Sequence, residues 1–385
     1  MGEYVTTRDF EKILIIDTTW PINTRTERFR ITLSEYFNVA VVAWNRGAKR
    51  SHENPASHYV LENDLGYGNK LKKLFSLPKF IRYVSKINKI ENTDIIFASH
   101  WDSLLCAVYI KVVSKKKIKI IYDCLDLPTS NKKTISLFLK LLEKACLRHV
   151  NLTIFASRFF QQLYPSTLST YTFENYPSKK ALDVGSKQPK WFLDFKENKA
   201  TNSKNVSWIG VVRYYEILEN ILKAITGTNI YFYVFGDGPE LKKLQKKVKE
   251  LNLEHQVIFF GRYSSSDLKY IYELADLVWA AYPTNDFNAI HAISNKYFEC
   301  SYFSKPPIFS KKTMMAKKLE KTSNSVIIVD EYNVHDIINK IQKGLTLGSA
   351  NYVKYEPDTF WEDKEDLFIN HLKTTLNISG ESDAP

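Results

Sequence analysis

Lys296 and Glu299 lie three residues apart in the stretch Ser294-Asn295-Lys296-Tyr297-Phe298-Glu299-Cys300. A helix through it puts the cation and the carboxylate on one face. Ser294 is a polar cap, and Lys305-Pro306 stops the helix before a short apolar strand, Pro307-Ile308-Phe309. A helix N-terminus carrying Asn295 and Lys296 suits a phosphate, and a carboxylate one turn on suits a sugar's hydroxyls. Taken alone, the pair is equally an exposed ion pair on a surface helix. Arg213 lies between a strand end and a helix start, where it either meets a phosphate or is a surface arginine. Gly236-Asp237-Gly238-Pro239-Glu240 joins a strand to a helix with proline at the first helical position. Its two glycines can admit a nucleotide or simply make a tight turn.

Two further residues could act on a hydroxyl. His100 falls where a strand hands over to a helix, so it either takes part in proton chemistry or hydroxyl contact or caps that helix. Asp126 either accepts a hydrogen bond from an acceptor hydroxyl or belongs to an Asp-Leu-Pro turn. No Asp-x-Asp pair stands at a strand end, so a metal is not expected.

The elements that must hold these residues alternate. Ile13–Ile16, Val39–Trp44, Asp94–Ala98, Ile118–Tyr122 and Leu152–Phe155 are short β-branched runs, the pattern of strands buried on both faces, with helices at 101–114 and 131–149 between them. After a polar, aperiodic stretch the series resumes at Val206–Ile209 and continues through Ile230–Phe235, Val257–Phe260, Leu277–Ala281, Pro307–Phe309 and Val326–Val329. Two parallel α/β sheets follow from this alternation, with ligands beyond the carboxyl ends of the strands. The expected division is a domain over 1–178, a linker over 179–205, a second domain over 206–350, and a tail over 351–385 that packs back on the first domain.

Lys and Arg outnumber Asp and Glu by 54 to 42, which favours anionic partners: nucleotide phosphates, an anionic membrane surface or nucleic acid. The basic residues concentrate over 69–90, where seven are interleaved with apolar residues and Pro78 divides the stretch into two amphipathic pieces. Such a segment either grips anionic lipid or lays an ordinary apolar face on the sheet. The four cysteines are widely spaced, as buried thiols in a reducing compartment would be. No apolar run approaches the eighteen or so residues of a membrane span and no signal-peptide core is seen, so a soluble or peripheral, cytoplasmic protein is expected.

Read together, these motifs resemble the nucleotide-sugar-dependent glycosyltransferases of family four, which have the two-Rossmann GT-B fold. The resemblance is to bacterial members that build capsule, exopolysaccharide or lipid-linked glycans. It is carried by Val41-Val42-Ala43-Trp44-Asn45-Arg46, Tyr122-Asp123-Cys124-Leu125-Asp126-Leu127, Asn175-Tyr176-Pro177, Gly236–Glu240, Phe260-Gly261-Arg262, and Asn295-Lys296-x-Phe298-Glu299 with Lys305-Pro306 following. It implies two Rossmann-like domains facing a central cleft, an acceptor half and then a donor half. It implies a nucleotide-diphosphate sugar as donor, a UDP-sugar first among them, and a glycan or lipid-linked acceptor. Retention of configuration is implied, with no cofactor and no nucleic acid, at the inner face of the plasma membrane. Glu299 would hold the donor's ribose, Lys296 and Arg213 its diphosphate, and the backbone near Gly236, Arg262 and Tyr263 its base. The chain departs from the family pattern at His291, where a glutamate is usual, at Glu216 in place of a phosphate lysine, and at Leu125 in place of a histidine. A catalytically silent subunit and a sugar-nucleotide epimerase are the alternatives these departures keep open.

Overall fold

A computed structural model of the chain describes residues 11–47, 55–66, 70–130, 132–182, 188–198, 203–320, 325–348 and 352–378. Its contacts divide it into two units, Met1–Glu174 with Lys364–Pro385, and Asn175–Asp363.

The first unit runs β1 (Lys12–Asp17), α1 (Thr24–Ser34), β2 (Asn38–Asn45), β3 (His58–Glu62), α2 (Lys70–Glu91), β4 (Ile95–Ser99), α3 (Trp101–Val113), β5 (Lys119–Cys124), α4 (Lys133–Leu147), β6 (Leu152–Phe155) and β7 (Thr170–Thr172). The strands form one sheet in the order β3-β2-β1-β4-β5-β6-β7, and every pairing is parallel. Ile13 to Ile16 are buried throughout, as strands covered on both faces require. Pro78 does not split its stretch, because α2 continues through it. The carbonyl that loses its partner is that of Leu74, on an exposed turn where water can serve instead. Trp44 stacks on Phe80 with ring centroids 4.9 Å apart and fixes α2 to β2.

The second unit begins inside the expected linker. Here α5 (Lys179–Leu182) and α6 (Lys190–Asn198) precede β8 (Lys204–Ile209), and Leu182 and Phe192 enter the same core as Ile209 and Tyr270. There follow α7 (Tyr215–Ile225), β9 (Ile230–Phe235), α8 (Leu241–Glu250), β10 (Val257–Gly261), α9 (Leu268–Leu274), β11 (Leu277–Trp279), α10 (Phe287–His291), α11 (Asn295–Tyr302), β12 (Pro307–Ser310), α12 (Met314–Leu319), β13 (Ile327–Val329) and α13 (Val334–Leu347). The six strands lie in the order β10-β9-β8-β11-β12-β13, again all parallel.

The tail is shared out differently from the expectation. Residues 352–363 stay with the second unit, where the Tyr355 hydroxyl donates to the Tyr297 carbonyl at 2.6 Å. Only α14 (Glu365–Leu376) belongs to the first unit. It is held there by Phe368, whose ring lies 5.2 Å from Phe29 and 5.4 Å from Phe173. Burying that ring contributes about 1.5–3 kcal/mol to docking the last helix. Among the described residues no helix is long and apolar enough to cross a membrane.

Candidate active site

The loops that leave β8, β9 and β10 are pressed backbone to backbone. Gly210 N–H donates to the Phe235 carbonyl at 2.9 Å, Val212 N–H to Asp237 at 3.0 Å, and Gly236 N–H to Gly261 at 2.7 Å. A Cβ on Gly236 would stand 1.9 Å from the Gly210 oxygen, and one on Gly238 would stand 2.3 Å from the Val212 oxygen. Gly236 also has φ +137°, which L side chains rarely adopt. The glycine pair is therefore demanded by close approach as well as by the turn. These loops border a cavity of about 630 Å³, whose wall includes Gly236, Asp237, Arg262 and Tyr263. Arg262 is highly exposed and pairs with Asp237 at 3.0 Å. That bond and the Gly238 N–H hold the Asp237 carboxyl below its ordinary range.

α11 supplies the buried part. Ser294, its N-cap, is extended, and Asn295 is exposed at the first helical position. Lys296 and Glu299 are not an exposed pair: both are buried, and Lys296 Nζ lies 2.5 Å from Glu299 Oε2. The Tyr272 hydroxyl donates to the same oxygen at 2.7 Å. Both bonds fall on Oε2 rather than Oε1. Burial alone would lower the Lys296 ammonium, but Glu299 and the neighbouring Tyr263 outweigh it and hold it above its ordinary range. Two more tyrosines meet this charge. Burial pushes up the hydroxyls of Tyr263 and Tyr282, and both feel Lys296 and Glu299. Tyr282 also lies in the field of Arg213. Arg213 is exposed, its guanidinium 4.8 Å over the ring of Tyr214.

The second unit thus brings Arg213, Tyr263, Lys296 and Glu299 into one electrostatic neighbourhood, and Gly236 and Arg262 share the cavity wall with Tyr263. His291 closes α10, with Nδ1 3.2 Å from the Phe287 carbonyl and its ring 4.6 Å from the Phe287 ring. Tyr272 and Tyr282 were not foreseen. Both are aromatic residues of core-like segments, and only the fold sets their hydroxyls beside Lys296 and Glu299. Glu331 was missed for the same reason: it is buried and accepts from the N–H and hydroxyl of Thr284, 47 residues away.

In the first unit, the strand-end residues are mostly committed to one another. Arg25 grips both oxygens of Asp123, at 2.9 Å from Nη2 to Oδ1 and 2.9 Å from Nε to Oδ2, and both side chains are buried. The Thr18 hydroxyl donates to Asp102 at 3.0 Å, and Lys73 bonds the same carboxylate. His100 caps α3 through its backbone only: its carbonyl accepts from Leu104 N–H at 3.0 Å, and its side chain makes no capping bond. Its φ of +91° is costly for a non-glycine residue. Asp126 is exposed on the loop after β5.

Residues 189–355 match the family Glycosyl transferases group 1. No curated protein matches the chain in sequence. Among solved structures, the chain is similar to a sucrose-phosphate synthase from Thermosynechococcus elongatus, at 14% identity and TM-score 0.74 over 96% of this chain and 100% of that one. It is similar to Anabaena HepE, solved with UDP and glucose, at 13% identity and TM-score 0.63 over 94% and 100%. It is also similar to S. aureus MnaA, solved with UDP, at 12% identity and TM-score 0.65 over 97% and 99%. The two parallel α/β units are the GT-B fold. With the matched domain on that fold, the protein is a glycosyltransferase.

Proposed function

We propose that the protein moves a sugar from a UDP-sugar to a hydroxyl of a glycan or lipid-linked acceptor, with retention, in surface polysaccharide or glycoconjugate synthesis. The reading is that of a family-four enzyme working at the anionic cytoplasmic face of a membrane, with no metal. The observation that carries it is the buried Lys296–Glu299 pair at the start of α11, with both contacts to the carboxylate falling on Oε2. Glu299 takes the ribose hydroxyls. Lys296, Arg213 and the α11 N-terminus face the diphosphate, whose charge grows as the glycosidic bond breaks. The fixed charges are in place before reaction, so little reorganisation opposes their effect. UDP in HepE and MnaA supports uracil as the base. His100 and Asp126, at the strand ends of the first unit, are the acceptor-side candidates.

Calorimetry with UDP, GDP and ADP, followed by assays of UDP-sugar hydrolysis, tests the reading. UDP should bind in preference, and donor should be hydrolysed slowly without acceptor. Interconversion of the free sugar nucleotide would identify an epimerase instead. Binding with neither hydrolysis nor transfer would identify a silent subunit.

A further inference from the structure

In a parallel sheet of right-handed crossovers, α2, α3 and α4 follow strands that step the same way, so they form one layer on one face. α2 packs beside α3, and α3 beside α4. Together the three helices carry eleven Lys and Arg, seven in α2, one in α3 and three in α4, against three carboxylates. Two of the three carboxylates, Asp102 and Glu143, are turned inward, and Lys73 is spent on Asp102; Glu91 is half-buried. Asp102 is buried against Lys73 and Thr18. Glu143 is buried and accepts from the Tyr122 and Tyr164 hydroxyls at 2.6 and 2.9 Å. Glu91 accepts from the Tyr59 hydroxyl.

The same layer exposes large apolar side chains that the sheet does not use. On α4, Leu137, Phe138 and Leu141 are 61%, 63% and 58% exposed; on α2, Leu74 and Phe75 are 60% and 81% exposed. Lys133, Leu137, Lys140, Leu141 and Lys144 follow one another at helical spacing along α4, so cations and apolar groups share its outer stripe. Leu74 and Leu137 are each the fifth residue of their helix, so both clusters lie toward the carboxyl ends of the strands, the edge that holds His100 and Asp126.

From this we infer that the α2–α3–α4 layer is a docking face for an anionic lipid bilayer, with Leu137, Phe138 and Leu141 of α4 as its main apolar contact. Charge complementarity selects the occupant: a strongly cationic surface with protruding Leu and Phe matches anionic headgroups over acyl chains. Shape agrees. The two apolar clusters stand on either side of α3, roughly 20 Å apart at ordinary helix spacing, which suits a flat surface better than one groove-bound peptide. This moves the contact beyond 69–90, where Phe80, Val84 and Ile87 are turned into the core. The inference rests on the proposed function only for what the membrane supplies, a lipid-linked hydroxyl presented at the strand-end edge.

Flotation of the full chain with phosphatidylcholine vesicles, with and without phosphatidylglycerol, reads the inference directly. The parent should float with the anionic vesicles only. Combined Leu137→Ser, Phe138→Ser and Leu141→Ser, or combined Lys133→Glu, Lys140→Glu and Lys144→Glu, should each lower the bound fraction at least about ten-fold. Lys242→Glu, Lys246→Glu and Lys249→Glu on α8 change the net charge equally and should leave flotation as it was. Equal loss from the α8 set, unchanged flotation of both α4 sets, or equal binding to neutral vesicles would overturn the inference. So would a vesicle-free dimer that only the α4 sets dissociate, since a second copy would then be the occupant. UDP binding is measured on the same variants. UDP bound without flotation removes the lipid face and leaves the UDP-sugar transfer of the proposed function, whereas flotation without UDP binding does the reverse.

Discussion

The strand ends of the two units hold similar inventories of polar residues and use them differently. In the first unit, Asp123 is consumed by Arg25, and Asp102 by Lys73 and Thr18. These pairs are closed, and their worth is in fixing the loops. In the second unit the loops after β8, β9 and β10 are pressed together chiefly by backbone hydrogen bonds and the close approach at Gly236 and Gly238, with the exposed Arg262–Asp237 pair beside them. Lys296 and Glu299 are paired, yet both of the contacts made to the carboxylate fall on one of its oxygens, and Tyr263 feels both charges. The proposed donor site rests on that arrangement. Closed pairs define no acceptor site, and among the described strand-end residues His100 stands out by its strained backbone.

The comparison breaks most sharply at Gly236. Gly236→Ala places a methyl group 1.9 Å from the Gly210 oxygen at φ +137°, so both loops must move. Strain of this kind costs about 1–3 kcal/mol before the clash is counted. Gly227→Ala, also at positive φ but with nothing within 4 Å, should cost about 1 kcal/mol. Urea unfolding of the two should rank them in that order, and UDP binding should be lost only in the first. Equal costs would mean that the loops are loose.

Next in size is the buried pair. Glu299→Gln leaves Lys296 as an uncompensated buried cation, a loss of about 3 kcal/mol, and should weaken UDP binding about ten-fold or more. Lys296→Met together with Glu299→Gln should recover much of the stability but none of the affinity, which separates folding from recognition. Lys296→Ala should cost turnover more than affinity, because the charge it meets grows in the transition state. The ammonium is raised relative to the unfolded chain, so its contribution is complete below about pH 10.4 and is lost as pH climbs through its folded value. Thermal unfolding between pH 6 and 9 should therefore show no step from this pair.

How far each half could be read from sequence follows the same division. The β-branched runs of β1, β2, β4 and β5 announce themselves because both faces are covered. The edge strands β3 and β7 do not: His58–Glu62 and Thr170–Thr172 are half-buried and short, with polar residues at both ends. α6 was hidden by the Lys and Asn around it, although Phe192 packs 5.1 Å from Tyr270 and Trp191 5.9 Å from Phe235. The Lys296–Glu299 spacing showed a pair but not its burial, which depends on Tyr272 coming from α9. Helical spacing reports neighbours on one helix and is silent about what covers them.

His100 offers a smaller effect of opposite signs. Glycine accepts φ +91° without penalty, so His100→Gly should raise stability by up to about 1 kcal/mol. If the imidazole meets the acceptor, transfer should fall while UDP-sugar hydrolysis persists. His100→Ala should lower transfer without the gain in stability. A transfer rate that both variants leave intact would assign the strain to the β4–α3 connection alone.

Glu143 should give the smallest change, and one that depends on pH. Burial lifts its carboxyl above the ordinary range, against the opposing effect of the Tyr122 and Tyr164 hydroxyls and of Lys140. A carboxyl raised on folding contributes stability below its unfolded value, about pH 4.3, and loses it as pH rises through the folded value. Glu143→Gln keeps an oxygen for the two tyrosines, which donate and need only an acceptor. At acid pH the parent and the variant should therefore differ by no more than about one hydrogen bond, roughly 1 kcal/mol. As pH is raised the parent must carry a buried carboxylate and the variant need not, so the parent should lose ground steadily toward neutrality. Urea unfolding of both proteins at pH 4.5, 6 and 7.5 measures the gap. A gap that widens in the parent's favour with pH would mean that the tyrosine hydroxyls stabilise the ionised form more than burial opposes it.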